Sequence, residues 1–257
     1  MTEVRPIRTE EAASFLQILV DSFGLDLARA RQAFYADPLF DINRKWALFD
    51  AGEMQSILTV TSLTFGWGKA IGIAGVATRE SARGQGYGRL LLESTLKGAV
   101  ARNEGPALLF AHRPELYERV GFHVLDNVIT ADIAIDGAAL HGESLSGSRV
   151  RERYDTWATG SPHRLRRDDA RWRYWNWFHR PCEAWGEGYL CVEHQLCREA
   201  VSTPRADAWP LGKGAKWVGL AHLAEKVGVP ITHRTEDMFL MGRGYPGLPE
   251  MFLTDQF

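Results

Sequence analysis

The run Arg83-Gly84-Gln85-Gly86-Tyr87-Gly88 constrains this chain more than any other part of it. Three alternating glycines separate a Val/Ile/Ala-rich stretch, Ala70 to Thr78, from Leu90, Leu91, Leu92, Leu96 and Val100, which fall at helical spacing. A strand that feeds a glycine-rich turn at a helix N-terminus makes an anion cradle. Glycine lets successive N–H groups converge, and the helix dipole adds roughly half a positive charge at that point. Arg83 supplies a full charge at the rim. The ligand this predicts carries phosphate. Two common phosphate patterns are excluded, because GxGxxG spacing within a βαβ unit is missing and no GxxxxGK[ST] occurs. No HExxH or GxSxG occurs either.

The surrounding elements form a consistent succession. Thr9 caps a helix carrying Phe15, Leu16, Leu19, Val20 and Phe23 that Gly24 closes, and a second helix is predicted from Leu25 to Tyr35. Trp46 to Phe49, Ser56 to Phe65 and Ala70 to Thr78 read as an antiparallel meander with short glycine-bearing turns. After the glycine turn and its helix come a buried strand at Ala107–Ala111, a brief helix at Glu115–Val120 and an alternating strand from Val124 to Ile135. Asp136-Gly137 and Gly142 to Ser148 are the best linker candidate, which places a boundary near residue 140. At 257 residues the chain is about 1.7 times the usual ~150-residue domain, so two units, 1–140 and 141–257, fit its length.

Both the glycine turn and a later hexad resemble the GNAT superfamily of N-acetyltransferases. That family's motif A, Arg/Gln-x-x-Gly-x-Gly/Ala, is filled by Arg83, Gly86 and Gly88, and its Tyr-x-x-x-Gly-Phe signature by Tyr117, Gly121 and Phe122. The resemblance covers roughly residues 3–135 and implies an α+β GNAT fold with a mixed sheet and acetyl-CoA as cosubstrate. It further implies that Gly84, Gln85, Gly86, Tyr87, Gly88 and Arg89 hold the pyrophosphate through backbone amides. Val76, Ala77 and Thr78 would then run beside the pantetheine arm, and His112 would lie near the cofactor. Tyr117 would protonate the departing thiolate, a reasonable task for a phenol of pKa ~10 facing a thiolate of ~8.5. The acceptor implied is a primary amine on a small molecule or peptide. A non-catalytic acyl-CoA-binding sensor or scaffold, and transfer of a longer acyl chain, are the alternatives. No carboxylate of the first half is singled out by spacing as the general base.

Beyond residue 150 the texture changes, with seven of the nine tryptophans and all three cysteines. No second RxxGxG occurs there, and the order of elements resembles a degenerate GNAT-like half, as in tandem acetyltransferases of the enhanced intracellular survival type. Those proteins are longer by a sterol-carrier-like domain. In them a chain-terminal carboxylate can act as base, a role that carried over here would fall on Phe257. Nine arginines leave residues 149–180 at net +5 among aromatics, which invites a nucleic-acid reading. Helical spacing of Trp172, Tyr174, Trp175 and Trp177 is better read as a packed helix with Asp168, Asp169 and Arg171–Arg173 as its salt-bridged rim. His179, Cys182, Cys191, His194 and Cys197 have spacings a zinc site could use, yet Gly188–Glu193 reads as a strand, so the expectation is buried structural thiols and no metal. Trp217, Leu220, Ala221, Ala224 and Val227 predict a helix and Met238–Met241 a short strand. A net charge of -2 argues against bulk attraction to nucleic acid or anionic membrane. No apolar run reaches the ~18 residues of a membrane span, and the three cysteines suit a reducing cytoplasm.

Overall fold

The computed structural model describes residues 1–134, 142–178, 181–201, 209 and 211–257. Its strands are β1 (Thr2–Pro6), β2 (Lys45–Asp50), β3 (Glu53–Phe65), β4 (Gly68–Thr78), β5 (Ala107–Ala111) and β6 (His123–Ile133), then β7 (Leu165–Arg166), β8 (Cys182–Trp185), β9 (Gly188–Glu193), β10 (Leu196–Val201), β11 (Lys216–Leu220) and β12 (Ile231–Arg243). Among the described residues seven helices accompany them: α1 (Ala12–Phe23), α2 (Leu27–Ala36), α3 (Tyr87–Ala101), α4 (Glu115–Glu118), α5 (Gly147–Thr159), α6 (Asp169–Trp177) and α7 (Ala221–Val227). None of these is long and apolar enough to cross a membrane. The fold is of the mixed α/β kind expected.

The strands join one sheet in the order β1-β2-β3-β4-β5-β12-β6-β11-β10-β9-β8, with β7 paired to β3 off that path. The meander is present as predicted, with Val60 opposite Ile73 and Leu48 opposite Ser56. The unpredicted feature is β12. It runs antiparallel between β5 and β6, setting Leu240 opposite both Phe110 and Asp126. Only four of its residues, Met238–Met241, carry a clear strand signal in the sequence, because the span from Ile231 to Asp237 is polar and mostly exposed. The boundary expected near residue 140 lies outside the described residues. Of the linker candidate, Gly147 and Ser148 open α5 instead, and Ser144 bridges Glu183.

Helices cover both faces of the first sheet half. Phe15, Leu16 and Ile18 of α1 pack with Ile57 and Ala77 on one face. Leu91, Leu92 and Leu96 of α3 pack with Leu58, Ile71 and Leu109 on the other. The helix predicted from Trp217 begins only at Ala221. Trp217 and Leu220 belong to β11, where Trp217 faces Ala131 on one side and Cys197 on the other. The pairing of a strand held on both edges overrides a helical period that rests on five residues.

Two guanidinium groups lie inside the second half. Arg167, fully buried, donates to Glu199 at 2.9 and 3.0 Å and to Asp255 at 2.7 and 2.8 Å, and lies 3.8 Å above the Tyr154 ring. Tyr189, Thr254 and Trp175 also donate to Glu199. Burial opposes ionisation of Glu199, but Arg167 outweighs it and holds the carboxyl below its usual range. Arg171 is not on a salt-bridged rim as expected; it is buried and donates to the carbonyls of Asp255 and Ser62. Asp168 caps α6 by accepting from the Arg171 amide, and Asp169 pairs with Arg151. Removing one partner of such a cluster leaves an uncompensated buried charge. Arg167→Met is therefore expected to cost about 3–5 kcal/mol, read as a lower midpoint in urea unfolding.

Candidate active site

Shortly after the end of β4 the chain reverses through two left-handed glycines, Gly84 at φ 80° and Gly86 at φ 79°. Gly86 is the N-cap of α3, and its carbonyl accepts from Leu90 N at 3.0 Å. The amides of Tyr87, Gly88 and Arg89 open the helix with no carbonyl one turn before them. Gly88 faces back onto the sheet, where a Cβ would stand 3.2 Å from Thr78 Oγ1. The turn therefore lies tight against the end of β4. At either left-handed glycine a Cβ would meet no atom within 4 Å, so the space above the turn is open.

That space is a cavity of about 730 Å³. Val76, Thr78, Arg83, Gly84, Gly86, Tyr87, Gly88 and Arg89 line one side, and Arg113, Glu115, Leu116, Tyr117 and Arg119 the other. Four guanidinium groups against one carboxylate make it an anion site. Three expected residues lie differently. Gln85 is exposed on the turn and does not line the cavity, and Ala77 is buried against α1 on the opposite face. His112 is exposed, with Nδ1 2.8 Å from the Asp237 carbonyl on β12. The Tyr87 hydroxyl turns away and donates to Asp50 at 2.9 Å, which anchors the start of α3 to the β2–β3 turn.

Behind the cavity β4 and β5 part. Their parallel pairing covers Ile71–Ala107, Gly72–Leu108 and Ile73–Leu109, and no pair follows. On the other edge of β4 the register to β3 slips between Thr59–Ala74 and Ile57–Ala77, and Gly75 adopts φ 59° at that bulge. A bulge bends the strand and increases its twist. The edge of β4 from Ala74 to Thr78 thus stands free toward β5, directly beside the glycine turn. Tyr117 on α4 faces this gap half-buried, its ring edge-on to Phe122 at 6.3 Å between centroids. Burial raises the Tyr117 pKa, which keeps the phenol protonated at neutral pH.

The opposite face of the same strands is closed by Phe257. Its ring sits on Gly72, where a Cβ would come within 2.3–2.6 Å, and lies 5.5 Å from the Phe110 ring. Nothing in the sequence points to this contact, since Gly72 sits within an ordinary strand pattern. Of the cluster with zinc-like spacing, Cys182 and Cys191 face each other across β8 and β9, buried with Cys197, while His194 sits exposed in a turn and His179 lies outside the described residues. Among the described residues no group of three or more His, Cys, Asp or Glu could hold a metal ion.

The family described as "Acetyltransferase (GNAT) domain" matches residues 3–125. Among solved structures the chain is similar to the GCN5-related N-acetyltransferase from Kribbella flavida, with TM-score 0.72 and 15% identity over 94% of this chain and 70% of that one. It is also similar to a conserved protein of unknown function, probable N-acyltransferase, from Enterococcus faecalis, with TM-score 0.70 and 14% identity over 95% and 72%. A third is Eis1 from Mycobacterium abscessus, with TM-score 0.63 and 13% identity over 93% and 73%. At these identities the likeness establishes the fold. No curated protein matches the chain. Because the Phe257 ring fills the space above Gly72, Gly72→Ala should displace it at a cost of about 1–3 kcal/mol, measurable as a lowered unfolding midpoint.

Proposed function

We propose that this chain, whose residues 3–125 are a GNAT acetyltransferase domain, is an acetyl-CoA-dependent N-acetyltransferase acting on a primary amine. One observation carries the reading: the open glycine turn at the start of α3, the free edge of β4 and the Tyr117 phenol all face a single cavity. The residues fit the cosubstrate. Amides from Gly84 to Arg89 would hold its pyrophosphate, and Arg83, Arg113 and Arg119 would balance the remaining charge. A free edge accepts an extended amide chain as a missing strand would, so Val76 to Thr78 would pair the pantetheine arm and bring the thioester to the bulge at Gly75.

There an amide of the bulged strand would donate to the oxygen that becomes negative as the amine attacks the carbonyl carbon. As the new C–N bond forms and the C–S bond breaks, Tyr117 would donate its proton to the leaving sulfur, while the attacking nitrogen releases one proton to solvent and solvent returns one to the phenolate. Its raised pKa suits a donor, because the phenol arrives protonated. The cavity occupies the α3 side of the sheet, so the amine would approach from the opposite face, between α1–α2 and residues supplied by 141–257. In this arrangement residues 1–140 serve the cofactor and the second half walls the acceptor side.

Acetyl-CoA at saturation should raise the melting temperature of the protein, and an unchanged melting curve would sink the cofactor assignment. Gly86→Glu, which strains a left-handed position and places a carboxylate in the cradle, should abolish that shift while the protein remains folded. Tyr117→Phe should lower kcat by about 10²-fold or more with little change in cofactor affinity, as seen by free CoA release against an amine panel. A binding protein without turnover, by contrast, would shift in melting temperature and release no CoA from any amine.

A further inference from the structure

On the sheet face opposite the cofactor cavity, residues paired across strands point the same way. Lys45 stands opposite Thr59, Thr59 opposite Ala74, and Thr61 opposite Gly72. Thr59, Thr61 and Ala74 are half-buried, so this strip of sheet keeps part of its surface uncovered, and it ends at the Gly75 bulge. The Phe257 ring on Gly72 bounds it on one side. Phe34 and Phe40, from α2 and the loop after it, bound the other.

Lys45 is 8% exposed. Its ammonium lies 5.3 Å from the Phe34 ring centroid and 5.8 Å from that of Phe40, and reaches along the sheet to within 3.4 Å of Thr59 Oγ1. Among the described residues no carboxylate comes within ion-pair distance of it. Burial pushes its pKa down, and the charges of Asp37 and Asp41 only oppose this from further away. A buried ammonium held by two ring faces and one weak hydroxyl contact is an incomplete arrangement, since buried charges are normally paired. The missing partner is an anion that arrives with a ligand.

We infer that the acceptor amine carries a carboxylate, and that Lys45 binds that carboxylate so as to present the amine to the thioester at the Gly75 bulge. This rests on the acetyltransferase reading above and narrows it to amino acids and related amino-carboxylates. The selection is physical. A neutral or purely cationic amine would leave the ammonium unpaired or face it with like charge, whereas a carboxylate completes a charge-assisted pair shielded from water by Phe34 and Phe40. Lys45 is in this role a specificity-determining residue; it takes no part in bond making.

The test compares glycine, alanine, methionine, phenylalanine and lysine with their carboxamides as acceptors, by CoA release and by calorimetric binding to the protein saturated with CoA. The carboxamides are the more easily deprotonated amines, so basicity alone would favour them. The expected result is a preference of roughly 10- to 100-fold in kcat/KM for at least one acid over its amide, matching the strength of a hydrogen-bonded charge. Lys45→Met fits the same space and should remove that preference mainly through KM, and Lys45→Arg should restore part of it. The CoA-induced melting shift of Lys45→Met should equal that of the unaltered protein. Turnover or binding that is equal for acids and amides, confined to amides or absent for both overturns the inference, as does a preference that survives in Lys45→Met. Absence of the CoA shift in the unaltered protein instead overturns the cofactor reading on which it rests.

Discussion

The second half of this protein is organised around one buried guanidinium. Arg167 donates four hydrogen bonds to Glu199 and Asp255 and a fifth to Thr254, and the Tyr154 ring covers its face. Burying such charges is costly, and the cost is offset because Glu199 also accepts from Tyr189, Thr254 and Trp175. Glu199 belongs to β10, Arg167 follows β7, and Asp255 lies in the short turn Leu253–Asp255. The cluster therefore fixes the path of the last residues, and through them the position of the Phe257 ring on Gly72. A charge cluster far from the cavity thus sets the shape of one wall of the cleft opposite it. Arg171 extends the same link into β3 by donating to the Ser62 carbonyl.

The cavity above the glycine turn depends on a different constraint, the parting of β4 and β5. Two local irregularities make it. The bulge at Gly75 turns β4 away, and β5 is only five residues long, so the parallel pair ends after Leu109. The far edge of β5 is still satisfied, because β12 pairs with it from Ala107 to Ala111. A gap opens on one side of β5 without leaving the strand loose on the other. Such a notch exposes backbone groups at one place only, which is what an extended amide ligand requires.

Much of the first half was legible in the sequence because its signals are local. The meander, the Gly24 end of α1 and the glycine turn each rest on a few adjacent residues with strong backbone preferences, such as Gly24, Gly84 and Gly86 at positive φ, whereas the cap expected from Thr9 is not formed, since α1 starts at Ala12 without a side-chain cap. Arg83 could be placed for the same reason, at the rim of the glycine turn, whereas Tyr117 was reached only through the resemblance of its Tyr-x-x-x-Gly-Phe hexad. The second half was poorly legible because its determinants are distant. Nothing near Arg167 announces that its partners are 32 and 88 residues away. Trp217 and Leu220 share a helical period by coincidence, and only the pairing of β11 with β6 and β10 decides otherwise. Lys45 shows a mixed case. The strand expected from Trp46 begins one residue earlier, at Lys45, and the burial of that residue under Phe34 and Phe40 depends on how α2 returns to the sheet.

The insertion of β12 also has a consequence for how the chain is made. At a synthesis rate of about 5–20 residues per second, the ribosome finishes β5 and β6 on the order of ten seconds before it delivers β12 between them. Throughout that interval Leu108, Leu109 and Phe110 sit on an unpaired strand edge, which is a template for pairing with other chains. The nascent protein must wait in an incomplete state until β12, the last of the twelve strands to be made, closes the sheet between β5 and β6.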